Sequence, residues 1–130
     1  MRIDSLEPDE VFVFGSNGSG AHGGGAARFA LDRFGAVWGQ SEGLQGQSYG
    51  IDTMSGLEVF KDQAARFVEF AQQHPELRFL VTEVGCGIAG YKPDQVARFF
   101  RGVPDNVVLP EAFTRVLEAG PAGQSSFDDG

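Results

Sequence analysis

One loop of this sequence is suited to bind an anion through its main chain. It spans residues 15–25, where six of eleven positions are glycine and no lysine or arginine occurs. Glycine adopts positive φ values that aim successive N–H groups at one point, and small side chains leave these groups accessible. The loop runs directly into a predicted helix, whose unpaired first amides attract negative charge further.

A second glycine-rich turn, Gly-Cys-Gly-Ile-Ala-Gly-Tyr at residues 85–91, follows another predicted strand. In an open α/β sheet, loops at the carboxyl ends of neighbouring strands converge on one crevice, where ligands bind. We therefore predict that the two glycine-rich loops form opposite walls of one cleft.

The elements that must position these loops follow from local patterns. Short apolar runs predict strands at residues 10–14, 47–52, 79–84 and 106–109, and residues 36–46 have no clear period. Helical spacing predicts helices over residues 26–34, from a Ser55/Glu58 capping box to just before Pro75, over 93–100, and from 110 to about 120. Alternating strands and helices predict a mixed, largely parallel α/β sheet.

Composition limits the class of protein. With 130 residues, 42% of them hydrophobic, the chain predicts one domain over residues 1–120, followed by a disordered tail over residues 121–130. A formal net charge of −8 argues against an extended nucleic-acid surface, although backbone amides can still bind a small phosphorylated ligand. A lone cysteine excludes an internal disulfide, and no signal peptide or membrane-length apolar run occurs. We expect a cytoplasmic protein with no membrane contact, cofactor or metal.

Two motifs resemble those of macro domains. Val-Phe-Val-Phe-Gly-Ser-Asn at residues 11–17, with His-Gly-Gly-Gly-Ala-Ala at residues 22–27, resembles the family's strand, Asn, short loop, glycine triplet and helix. The spacing is similar to that of viral macro domains. The turn at residues 85–91 is similar to the loop that closes over the diphosphate and distal ribose, and its Gly-Cys-Gly resembles the terminal ADP-ribose glycohydrolase branch.

The resemblance implies a three-layer α/β/α fold that binds ADP-ribose, a related nucleotide diphosphate or an ADP-ribosylated macromolecule. It implies that Asn17 hydrogen-bonds the distal ribose, and that His22 polarises this ribose or positions an attacking water. These two are the candidate catalytic residues. The candidate ligand-binding residues are Gly15, Ser16, Asn17, Gly23, Gly24, Gly25, Gly85, Cys86, Gly87, Ile88, Ala89, Gly90 and Tyr91.

Several of these residues have an alternative interpretation. Asn17 can cap its own turn, and His22 can be a loop residue bonded to backbone. Cys86 can be a nucleophile, but a small buried side chain is favoured. Tyr91 can cover a ribose or base, or anchor the core.

The chain also departs from the family at three positions. Ala27, Met54 and Ala89 stand where two hydrolase branches carry an Asp, a Lys and an Asp, so neither carboxylate mechanism carries over. ADP-ribosyl hydrolysis is therefore left open. The alternatives are an enzyme acting on another phosphorylated nucleoside or sugar, and an interaction domain with a vestigial cleft.

Overall fold

A computed structural model describes residues 3–119 of the chain. The elements occur in the order β1 (Glu10–Ser16), α1 (Gly25–Arg33), β2 (Gly43–Gln45), β3 (Ser48–Asp52), α2 (Leu57–Gln73), β4 (Arg78–Val81), α3 (Pro93–Val96), a 3₁₀ turn (Ala97–Phe100), β5 (Val107–Val108) and α4 (Glu111–Ala119). The predicted tail at residues 121–130 lies outside the described residues. Among residues 3–119, no helix is both long enough and apolar enough to cross a membrane.

All five strands form one sheet in the order β2-β3-β1-β4-β5. The pairings of β1 with β3, β1 with β4, and β4 with β5 are parallel, whereas β2 and β3 are antiparallel. The predicted mixed, largely parallel α/β sheet is therefore confirmed. Because β1, β3 and β4 run in the same direction, the loops that follow them leave the same edge of the sheet.

The central strand β1 divides the core in two, because successive side chains of a strand point to opposite faces. Val11 and Val13 belong to a cluster with the buried residues of α2 and the 3₁₀ turn. Phe12 and Phe14 belong to a second cluster with α1. Helices thus cover both faces of the sheet, and β1 is buried between them.

Two of the predicted helices, which correspond to α1 and α2, are confirmed with small changes at their ends. In α2, side chains at spacings of three and four residues face the core, as expected for an amphipathic helix; Phe60, Ala64, Phe67 and Ala71 are fully buried. α1 ends at Arg33, and Gly35 continues with φ of +78°, a left-handed conformation typical of helix ends.

The predicted capping box at the start of α2 is wrong. The Ser55 hydroxyl donates to the Asp52 carboxylate at 2.6 Å, and α2 is preceded by Gly56, which has no side-chain cap and a φ of +104°. Asp52 also accepts the amide of Met54 at 2.9 Å. The Ser55 hydroxyl therefore bonds to the Asp52 carboxylate instead of capping α2, and these bonds order the turn between β3 and α2.

Other boundaries also differ from the prediction. β1 continues to Ser16, beyond the predicted end at residue 14, and β5 covers Val107–Val108 only. The segment without a clear period contains β2, and β4 ends at Val81 instead of residue 84. The helix predicted over residues 93–100 is divided into α3 and the 3₁₀ turn. In the 3₁₀ turn, Arg98 is exposed, whereas Ala97 and Phe100 are buried.

Candidate functional site

A cleft of about 250 Å³ lies at the carboxyl ends of β1, β3 and β4. Both glycine-rich loops line it, which is the convergence that the sequence predicts. Nine predicted ligand-binding residues lie on its surface: Gly15, Ser16, Asn17, Gly24, Gly25, Gly85, Gly87, Ile88 and Ala89. Gly23, Cys86, Gly90 and Tyr91 are not part of this lining, and their role stays a prediction.

The floor of the cleft is formed where the three strand ends approach each other closely. A Cβ atom placed on Gly15 would lie 3.1 Å from Thr53 Oγ1 and 3.6 Å from the Gly85 amide nitrogen. Thr53 in turn donates its amide to the Ser16 carbonyl at 3.1 Å. The absence of a side chain at Gly15 therefore lets the main chains of β1, β3 and the second loop meet.

The amino-terminal end of α1 opens onto the cleft. Its N-cap residue is Gly24, which provides no side-chain cap, and the first turn holds no acidic residue. The amides of Gly25, Ala26 and Ala27 belong to the first turn, where an α-helix leaves its N–H groups unpaired. Cβ atoms built at positions 23–25 would meet nothing within 4 Å, so open space faces these glycines.

The second loop supplies further amides. Its shape is held by internal hydrogen bonds from the amides of Cys86, Gly90 and Tyr91 to carbonyls of the same loop, at 2.9–3.1 Å. The amides of the three residues between them, Gly87, Ile88 and Ala89, have no acceptor among residues 3–119. These three residues line the cleft, so the loop holds free donors in a rigid turn beside α1.

No lysine or arginine lines the cleft, and Glu83 is its one carboxylate among the described residues. An anion bound here would be held by main-chain dipoles, which attract it locally whatever the net charge of the protein. The negative charge of the exposed Glu83 carboxylate repels a second anionic group beside it. A carboxylate can also act as a hydrogen-bond or proton acceptor.

Asn17 lines the cleft, but its side chain also builds the first loop. Its Oδ1 accepts the Ala21 amide at 2.9 Å and the Ser19 hydroxyl at 3.1 Å, and its Nδ2 donates to the Ala21 carbonyl at 2.9 Å. These contacts correspond to the alternative interpretation, in which Asn17 caps its own turn. One Nδ2 hydrogen is left for a ligand, so ribose contact stays a prediction.

His22 is fully buried and does not line the cleft. Its Nε2 lies 3.2 Å from Gln45 Oε1, and its ring packs edge-on against Phe14 at 5.2 Å between centroids. The Gln45 amide orientation follows from its other bonds, because Oε1 also accepts the Val37 amide at 2.8 Å. His22 Nε2 is therefore the donor, and Nδ1 has no partner among residues 3–119. This burial argues against direct contact between His22 and a ligand, and the role that the sequence gives His22 stays a prediction.

Cys86 and Tyr91 belong to the second loop, and their side chains pack against the core. Burial raises the pKa of the Cys86 thiol, with the Glu83 carboxylate adding to the effect, so the thiolate needed by a nucleophile is disfavoured. The ring of Tyr91 lies 6.1 Å from that of Phe60 in the core. Both arrangements correspond to the structural alternatives.

Known proteins provide no independent guide to the site. No protein-family model matches this chain, and no curated protein or solved structure matches it either. The cleft and the sequence motifs are therefore the guides to function.

Eight lining residues were missed by the sequence analysis. Thr82, Glu83 and Val84 were assigned to the strand that ends at Val81, and the Thr82 hydroxyl continues the sheet by donating to the Val13 carbonyl at 2.8 Å. The polar pair Thr82-Glu83 after an apolar run is the signal that could have placed the end of β4 earlier. The remaining five are Ala21, Ala26, Ala27, Thr53 and Met54.

The described residues hold no group of three or more His, Cys, Asp or Glu side chains that could bind a metal ion.

Proposed function

We propose that the cleft binds ADP-ribose or a related nucleotide diphosphate through main-chain amides. The observation that carries the proposal is that two sets of residues with free amides line one cleft: the first turn of α1 and residues 87–89. A diphosphate presents many acceptor oxygens, and a helix amino terminus is a ready-made anion site. The macro-domain motifs of the sequence support the same ligand class.

The size of the cleft suggests which part of the ligand it encloses. Pockets for small molecules usually measure about 300–1,000 Å³, and this one measures about 250 Å³. We therefore propose that the diphosphate and one sugar are enclosed, while the remainder extends over the rim. Met54 and Ile88, which are 48% and 82% exposed, provide apolar contact there.

A hydrolytic activity is the second candidate, and Glu83 is the observation that favours it. A carboxylate at the cleft can act as a general base on a water molecule next to a bound sugar. Glu83 would then take over the function of the catalytic Asp and Lys residues of macro-domain hydrolases, whose positions are occupied here by Ala27, Met54 and Ala89. We expect the protein to release ADP-ribose from a mono-ADP-ribosylated protein. Glu83→Gln should lose this activity and keep its affinity for ADP-ribose.

The binding proposal is tested by comparing ADP-ribose, ADP, ribose 5-phosphate and NAD in thermal unfolding. A ligand that binds only the native state adds about 2.7 kcal/mol of stability at a hundred times its Kd. We expect ADP-ribose to give the largest shift. A larger shift with ribose 5-phosphate would favour an enzyme of another phosphorylated sugar, and no shift with any ligand would favour a vestigial cleft.

Gly24→Asp tests the anion site without disturbing the fold. Gly24 has an extended backbone, with φ of −158°, and open space around its Cβ position, so any side chain fits. Asp is a favoured N-cap, and it changes stability by only a few tenths of a kcal/mol relative to Gly. The introduced carboxylate would accept hydrogen bonds from the first amides of α1, so binding of ADP-ribose measured by calorimetry should disappear. Gly24→Ser, an uncharged cap, is the matched control and should bind more tightly than Gly24→Asp; equal binding by both would contradict the proposal.

A further inference from the structure

A second groove, distinct from the cleft, lies between α2 and the 3₁₀ turn and has a volume of about 650 Å³. Leu57, Lys61 and Ala65 line one wall because residues four apart share a helix face. Phe99 lines the other wall, half-buried against the core with its ring 5.3 Å from that of Phe60. Leu57, Ala65 and Phe99 thus give the groove an apolar floor.

The charged side chains of this groove are mostly cationic. Lys61, Arg98 and Arg101 line it together with one carboxylate, Glu58. None of the three cations forms an ion pair with any of residues 3–119, whereas Arg28, Arg66 and Arg115 are each paired with a carboxylate. We call this surface the basic groove; its excess of positive charge contrasts with the formal net charge of −8 for the whole chain.

We infer that the basic groove binds an acidic segment of a partner polypeptide, with one apolar side chain on the floor and carboxylates beside Lys61, Arg98 and Arg101. The cations project from two elements around an open groove, so one small anion would contact only some of them. An extended peptide presents carboxylates at several positions and an apolar residue between them. A nucleic acid is disfavoured because three cations in a strongly acidic protein cannot offset its repulsion.

The groove is independent of the anion cleft but close to it along the chain. Met54 lines the cleft and Leu57 lines the groove, and three peptide links span at most about 11 Å. A partner seated in the groove would therefore lie next to the mouth of the cleft. The groove needs no ligand in the cleft, so the two proposals can fail separately.

Fluorescence anisotropy with a labelled peptide tests this inference on the full chain. The probe carries four acidic residues flanking one phenylalanine, and the control probe replaces the acids with their amides. We expect saturable binding of the acidic probe only, weakened several-fold by high salt because exposed charges are screened. Lys61→Gln and Arg98→Gln should each raise its Kd roughly two- to five-fold, as expected for exposed ion pairs, and the double variant should raise it further.

Arg78→Gln is the matched control. Arg78 is an exposed cation at the start of β4, outside the basic groove and without an ion pair among residues 3–119, so its loss removes the same charge elsewhere. Unchanged thermal stability of the two single variants, the double variant and Arg78→Gln shows that all four fold.

Three outcomes would overturn the inference. They are equal binding of the acidic and amide probes, an equal effect of Arg78→Gln, and binding of a phosphorylated peptide or an oligonucleotide where the acidic probe does not bind. The response to ADP-ribose is measured in parallel and should not change in the groove variants.

Discussion

Gly85, the first residue of the second loop, lies close against the core, and Gly85→Ala should destabilise the protein strongly. The residue has φ of +82°, and a Cβ atom would lie 2.5 Å from Phe60 Cε2. Phe60 is fully buried and cannot retreat, because Phe99, Phe100 and Tyr91 surround its ring at 5.3–6.5 Å. The left-handed backbone costs an alanine about 1–2 kcal/mol, and overpacking costs about 1–3 kcal/mol more.

The expected loss of about 2–5 kcal/mol is large against a typical total stability of about 5–15 kcal/mol. Urea unfolding measures it directly, as a lower midpoint with an unchanged slope. Two controls separate the contributions. Gly102→Ala has a similar φ of +77° and no atom within 4 Å of its Cβ, so it reports the backbone cost alone. Gly87→Ala has neither constraint and should be nearly neutral.

The order of the three variants decides whether the reasoning is right. If Gly85→Ala costs no more than Gly102→Ala, the contact with Phe60 is not a real constraint, and the loop can move away from the core. The free amides of the second loop would then be held less rigidly than the structure indicates.

Two further predictions concern side chains in contact with α2. The side-chain amide of Asn106 donates to the backbone carbonyls of Ala71, His74 and Leu77, at the end of α2 and in the segment before β4, at 3.0–3.1 Å. Asn106→Ala should cost about 1–3 kcal/mol in urea unfolding because part-buried acceptors lose a donor. A change near zero would show that water replaces it. Burial, assisted by the Glu42 carboxylate, raises the pKa of Tyr49 to about 12. Since an unfolded tyrosine ionises near pH 10, the free energy of unfolding should fall as the pH rises from about 10 to 12. Tyr49→Phe should remove the part of this loss that Tyr49 causes. Ionisation of folded Tyr49 near pH 10 in an ultraviolet titration would contradict the prediction.

The strand, glycine loop and helix at the start of the chain were predictable because their signals are local. The apolar run of β1, the glycines after it and the stop at Gly35 are written in consecutive residues. The predicted helix differs from α1 by one residue at each end. Its glycine-rich entry predicts free amides, since glycine supplies no side chain to cap them.

Other features were hidden because they depend on partners far apart in the chain. β2 exists because Gln45 pairs with Ser48 and Leu44 with Tyr49 in an antiparallel ladder, and three residues show no periodicity. His22 looked like a site residue from its neighbours in sequence. Its actual contact, Gln45, lies 23 residues away, and only the packed structure shows that this contact buries it.

The sequence by itself determined that two small-residue loops follow buried strands and that the sheet is mostly parallel, because apolar periodicity and glycine preferences act over a few residues. Only the tertiary structure decided which amides of those loops stay unpaired, that Glu83 lines the cleft, and that three cations meet in a basic groove. These properties depend on strand register and on side-chain competition, as between Ser55 and Asp52, and such contacts form only when distant segments pack together.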